Sequence, residues 1–79
     1  MKEVKNDFIK KFEYEDYYIY IKDCGSHYES YIQHKEYGIM QLMFGIDIAK
    51  TKITLKDYID IVFSNIEEYI EIYKQDIED

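Results

Sequence analysis

Residues 54–73 read TLKDYIDIVFSNIEEYIEIY, and this stretch decides how the chain is laid out. Thr54 followed by Asp57 is a capping-box-like pair, and Ile53 and Tyr58 stand where a hydrophobic staple would join N′ to N4, so a helix starts here. On a helical projection Leu55, Tyr58, Ile59, Val62, Phe63, Ile66, Tyr69, Ile70, Tyr73 and Ile77 fall within an arc of about 140°, the face that enters a core. Asp57, Asp60, Glu67, Glu68 and Glu71 fall within about 100° on the other side, a ridge of carboxylates with no Lys among them. Ile61 and Ile72 lie beside the core arc and widen the apolar side to about 200°. One sheet face would not need so wide a stripe, which makes Ile61 and Ile72 candidates for a homodimer contact.

Upstream, residues 17–22 read YYIYIK, a β-branched and aromatic run with strong strand propensity. Asp23-Cys24-Gly25-Ser26 supplies turn residues, and a second strand, HYESYIQH over 27–34, follows. Lys35, Glu36 and Tyr37 turn the chain again, and Gly38 opens a third strand, IMQLMFGI, that ends near Gly45 or Ile46. Residues 47–53 form a linker containing a short extended piece. Ahead of the meander, Val4, Phe8, Ile9 and Phe12 recur at helical intervals with Lys5, Lys10 and Lys11 outside them, which predicts a short helix over 3–12. The expectation is a single α+β domain over 1–79: a short N-terminal helix, a three-stranded antiparallel sheet and a long amphipathic C-terminal helix. Ile19, Ile21, Ile32, Met40, Leu42 and Phe44 supply one apolar sheet face. The alternate positions Tyr18, Tyr20, Tyr31, Ile39 and Met43 are also large, so either both faces are covered, one by each helix, or one is an interface.

A chain of 79 residues buries only about 60% of its unfolded surface and is near the lower end of what folds unstapled. Its single cysteine, Cys24, can form no internal disulfide, which points to a reducing compartment. The opening MKEVKNDFIKKF has no apolar core of signal-peptide length, and no run reaches the roughly 18 apolar residues of a membrane span, so a cytoplasmic protein is expected. Ile, Tyr and Lys are abundant, while there is one Ala, no Arg and no Pro, the mark of a low-GC genome. Without Arg the chain lacks the usual bidentate binder of phosphate and guanine. Net charge is −7, and it is segregated: residues 1–54 carry −1 and residues 55–79 carry −6.

No catalytic motif is complete. Cys24, His27 and His34, with Asp23 beside them, have metal-ligand character, but a structural zinc site needs four closed ligands and His34 is a strand-length away. Neither a metal nor a cofactor is expected. Cys24 with His27 lacks the orienting group and oxyanion hole of a thiol nucleophile. The paired acids Asp57 with Asp60 and Glu67-Glu68 lie on an exposed helix face, without the burial that raises a catalytic carboxyl. Gly25, Gly38 and Gly45 stand singly and build no phosphate loop. The ten tyrosines either fill a small core or form an interface. A base-stacking platform would need a positive groove beside it.

These features describe a non-enzymatic binding protein whose acidic ridge docks into a basic, nucleic-acid-binding groove of another protein, speeding encounter through its field. It is not expected to bind nucleic acid directly or to contact a membrane. In size, acidity, low-GC usage and helix–three strands–helix order, with TLKDYIDIVFSNIEEYIEIY as the acidic helix, the chain resembles the small phage-encoded anti-CRISPR and anti-restriction inhibitors. The resemblance implies a host-defence protein as partner and carries over no functional residue. Candidate partner-binding residues are Asp57, Asp60, Glu67, Glu68 and Glu71 on the helix and Tyr18, Tyr20 and Tyr31 on the sheet. A self-associating accessory or structural module, a protein that sequesters a small ligand in an apolar cleft between subunits, and an acidic antitoxin or small regulator are the alternatives.

Overall fold

The computed structural model describes residues 8–78. Five strands come first: β1 Phe8–Tyr14, β2 Tyr17–Asp23, β3 His27–His34, β4 Met40–Leu42 and β5 Ile48–Ala49. A single 3-10 turn at Lys50–Lys52 leads into α1 Leu55–Ser64 and α2 Ile66–Glu78. The sheet is antiparallel in the order β1-β2-β3-β4, and β5 pairs with β3 alongside β4.

The expected N-terminal helix is overturned. Residues 8–12 belong to β1, paired with β2, and residues 3–7 of that helix lie outside the described residues. Backbone satisfaction explains the outcome. Strand β2 buries Tyr17, Ile19 and Ile21, and without β1 it would be an apolar edge with a row of unpaired N–H and C=O groups. The register slips between Phe8 and Lys10. That irregularity lets an aromatic spacing that looks helical, Phe8 to Phe12, lie in a strand with the two rings on opposite faces. Edge strand β1 carries Lys10 and Lys11, charges that discourage further strand addition.

The expected single C-terminal helix is two. At Asn65 ψ is 10°, and its N–H bonds Val62 O at 3.2 Å, a tighter turn than α-helix. The Ser64 hydroxyl and the Asn65 amide both donate to Ile61 O, at 2.8 and 2.9 Å, so the side chains satisfy the carbonyl that the break frees. The start of α1 is as read from sequence: Thr54 Oγ1 accepts from Asp57 N–H at 3.2 Å.

Both helices pack on the same face of the sheet. Tyr58, Val62, Ile66, Ile70 and Tyr73 form one buried cluster with Tyr17, Ile19, Ile21, Tyr28, Ile32, Met43 and Ile46. The third-strand reading was out of register by one residue. Met40 and Leu42 lie opposite Gln33 and Tyr31 on the outer face, Phe44 is exposed, and Met43 enters the core. With large side chains at both odd and even positions of 39–44, alternation could not choose. The choice falls to tertiary contacts, Met43 N–H to Ser30 O at 2.9 Å and Gln41 Nε2 to Asp76 Oδ2 at 2.7 Å.

The tyrosines divide by layer. Tyr58 meets Ser30 Oγ at 2.8 Å inside the core. Tyr69 donates to Phe44 O and Tyr73 to Ile39 O, and Tyr73 also accepts from His34 N–H at 3.0 Å, so α2 holds the loops on either side of β4. No buried side-chain polar atom among the described residues lacks a partner.

Candidate functional site: an open aromatic sheet face opposite an acidic helical layer

With both helices on one side, the other face of the sheet has no described element over it. Cross-strand pairing sets its rows. Lys11, Tyr20, Tyr31 and Leu42 form one, Glu13, Tyr18, Gln33 and Met40 the next, and Phe8 stands with Lys22 opposite Glu29. The Phe8 ring lies 5.6 Å from both Tyr20 and Tyr31, and Tyr18 is 6.4 Å from Tyr20. Hydrogen bonds fix two of the phenols: Tyr20 donates to Gln33 Oε1 at 2.8 Å and Tyr31 to Glu29 Oε1 at 2.9 Å. Burial and the Glu29 contact push the Tyr31 hydroxyl up to about 12.

Lysines lie over these rings. Lys11 Nζ is 4.2 Å from the Tyr18 centroid, Lys35 Nζ is 5.4 Å from the same ring, and Lys22 Nζ is 5.8 Å from Phe8 and 5.9 Å from Tyr31. Their stems cover apolar surface and their ammonium groups rim it. In the loops before and after β4, Tyr37, Ile39 and Phe44 are also exposed.

The expected partner-binding residues therefore fall on two opposite surfaces. Tyr18, Tyr20 and Tyr31 share the open face. Asp57 and Asp60 on α1 and Glu67, Glu68 and Glu71 on α2 are all exposed, but the break at Asn65 divides the ridge into two groups. Glu67 is tied to the rim of the sheet, where Tyr14 donates to its Oε2 at 2.5 Å. That bond, with a smaller desolvation effect, pushes the Tyr14 hydroxyl up to about 12. The lysine–carboxylate ion pairs among the described residues lie elsewhere, Lys35–Glu13 and Lys50–Asp23, and His27 contacts Glu29. Of the two proposed dimer residues, Ile61 packs partly against the core and Ile72 remains 39% exposed.

The cysteine–histidine group also rearranges. His34 stacks on Tyr37 at 4.2 Å, and its Nδ1 accepts from the N–H groups of Glu36 and Tyr37 at 3.0 and 3.3 Å, which makes it a turn residue far from Cys24. Glu29 takes its place beside Cys24 and His27. A period-2 reading of β3, which sets His27, Glu29 and Tyr31 on one face, would have found Glu29. Phe8 and Lys11 were missed because their segment was read as helix, although the two-residue junction Glu15-Asp16 between two aromatic runs, 8–14 and 17–22, has the length of a hairpin turn.

Comparison with family models, with curated proteins and with solved structures finds no match for this chain. No helix among the described residues is long and apolar enough to cross a membrane.

Proposed function

We propose that the protein is a non-enzymatic binding protein that pairs through its open sheet face and presents its acidic helical layer to a basic, nucleic-acid-binding partner. One observation carries this reading: apolar aromatic surface and acidic surface are segregated onto opposite sides of a two-layer fold. Contiguous exposed apolar patches on small proteins mark interfaces. On a chain of net charge −7, the charge pattern selects which surfaces meet. Two copies joined sheet to sheet keep their helical layers farthest apart, so repulsion is least there. The meeting faces carry both signs, Lys11, Lys22 and Lys35 with Glu13 and Glu29, which suits a self-complementary contact about a two-fold axis.

Four strands about 4.8 Å apart make a small footprint, and pairing is accordingly expected to be weak, in the micromolar range. The outward layers then offer Asp57, Asp60, Glu68 and Glu71 twice. Their field accelerates approach to a positive groove, and occupancy of that groove excludes nucleic acid. The size and acidity shared with small phage-encoded inhibitors favour a host-defence protein as the partner. The part of that resemblance that rested on helix–three strands–helix order does not hold, since the order is five strands and two helices.

The test has two arms. Light scattering behind a sizing column, over tens to hundreds of micromolar, is expected to give a dimer that Tyr20→Ser with Tyr31→Ser converts to a monomer with unchanged circular dichroism. A wild-type monomer throughout that range refutes the pairing. For the acidic layer, release of a labelled strand from a panel of basic nucleic-acid-binding proteins is followed at two salt concentrations. Release that is salt-sensitive and slowed by Asp60→Asn, Glu68→Gln and Glu71→Gln together supports the reading. Absence of release from every panel member, or equal release by the neutralised variant, overturns it.

A further inference from the structure

We propose that Cys24, His27 and Glu29 form a three-ligand site for a zinc-class divalent cation, with its fourth position open. The expectation from sequence was that no metal is held, because His34 could not reach. The structure supplies Glu29 instead, and the three ligand atoms lie within 4.8 Å of one another. This site adjoins the proposed pairing face and shares Glu29 with it, but it does not rest on the pairing or partner reading above.

The turn builds it. Asp23 Oδ1 accepts from Gly25 N–H at 2.9 Å, Gly25 sits at φ 90°, and Cys24 N–H bonds His27 O at 2.9 Å. Those bonds fold Cys24 back over His27. Two residues further along β3, on the same face, stands Glu29. His27 Nε2 and Glu29 Oε2 are 3.2 Å apart. Two ligands at zinc bond lengths of about 2.0–2.1 Å in a tetrahedron stand about 3.3 Å apart, so this edge already has the right length. The edges to sulfur need about 3.5 Å, against separations that do not exceed 4.8 Å before any metal is bound.

Outer contacts leave the ligating atoms available. His27 Nε2 contacts Glu29 Oε2 at 3.2 Å, and metal takes the place of the proton in that contact; Ser26 Oγ, 3.0 Å from Nδ1, can then accept the ring proton there and keep the Nε2 lone pair on the metal. Tyr31 donates to Glu29 Oε1, leaving Oε2 turned to the cluster. The competing charges are engaged elsewhere. Asp23 is held by Lys50 Nζ at 2.9 and 3.0 Å, and Lys22, across from Glu29, extends over the Phe8 and Tyr31 rings. One sulfur, one imidazole nitrogen and one carboxylate oxygen suit zinc and its cobalt surrogate, and disfavour magnesium and calcium, which take oxygen. Without metal, burial and then the neighbouring Glu29 carboxylate hold the Cys24 thiol above its usual range. Metal binding therefore displaces the thiol proton.

Untagged, reduced protein is stripped with chelator and titrated anaerobically with cobalt(II), and zinc affinity is then read by competition with a chromophoric chelator. The expected result is one cobalt per chain with a near-ultraviolet thiolate charge-transfer band that Cys24→Ser abolishes. His27→Gln and Glu29→Gln should each weaken zinc at least tenfold, Tyr31→Phe about tenfold through its hold on Glu29, and His34→Gln not at all. Circular dichroism of each variant separates ligand loss from unfolding. Absence of the thiolate band up to millimolar cobalt overturns the site, as does a folded His34→Gln that weakens zinc as much as His27→Gln.

Discussion

The Ser30–Tyr58 hydrogen bond ties α1 to the sheet face that both helices cover. Both side chains are fully buried, and their oxygens are 2.8 Å apart. Ser30→Ala leaves the phenol without a partner in a dry core, at a cost of about 1–3 kcal/mol. Tyr58→Phe should fall at the lower end of that range, because a serine hydroxyl can rotate to another acceptor whereas the phenol oxygen is fixed by its ring. A domain of this size has a stability of roughly 4–12 kcal/mol. A loss of about 2 kcal/mol then lowers Tm by roughly 8–16 °C. The double variant removes both polar groups and should be close to neutral, so the cycle yields a coupling equal in magnitude to the two single losses together, about 2–4 kcal/mol. Urea unfolding followed by far-ultraviolet circular dichroism measures it, with unchanged m-values as the check on two-state behaviour. Additive single losses would refute the argument, since they would mean that each hydroxyl is satisfied independently of the other.

Three further outcomes are expected. The Lys50 contact, then the Gly25 N–H, hold the Asp23 carboxyl below its usual range, and bonds from His27 and Tyr31 do the same for Glu29. Their stabilisation is present above the unfolded carboxylate values and is lost as pH falls through the folded ones, so Tm should drop below about pH 4, and less steeply in Lys50→Met. Tyr14, Tyr31 and Tyr58 are raised to about 12. Their contribution is complete below about pH 10, the unfolded tyrosine value, and is lost as pH climbs through the folded ones; ultraviolet titration should show late ionisation coupled to unfolding, with Glu67→Gln returning one phenol toward its ordinary value. Glu15 holds φ 55° in the β1–β2 turn, a left-handed conformation that costs a non-glycine residue about 1 kcal/mol, so Glu15→Asn should raise the urea midpoint.

The sequence by itself determined what depends on neighbours along the chain. The Thr54 cap, the core stripe Tyr58–Val62–Ile66–Ile70–Tyr73, the β2–β3 hairpin and the short extended piece within 47–53 are all in place, because caps, turns and periodicity act over a few residues. The concentration of charge in the last third was equally legible. Only the tertiary structure decided the rest. Phe8–Tyr14 is strand because β2 needed a partner, although its local spacing fits a helix as well. Met43 rather than Leu42 turns inward, and that choice rests on contacts with Ser30 and a fold in which α2 holds Phe44 O and Ile39 O. Both helices share one sheet face, leaving Tyr18, Tyr20 and Tyr31, each half-buried, on the face that no described element covers. Glu29 meets Cys24 and His27 through a turn and a strand face acting together. Each of these is a choice between alternatives of similar local free energy, and packing and backbone pairing between distant segments made it.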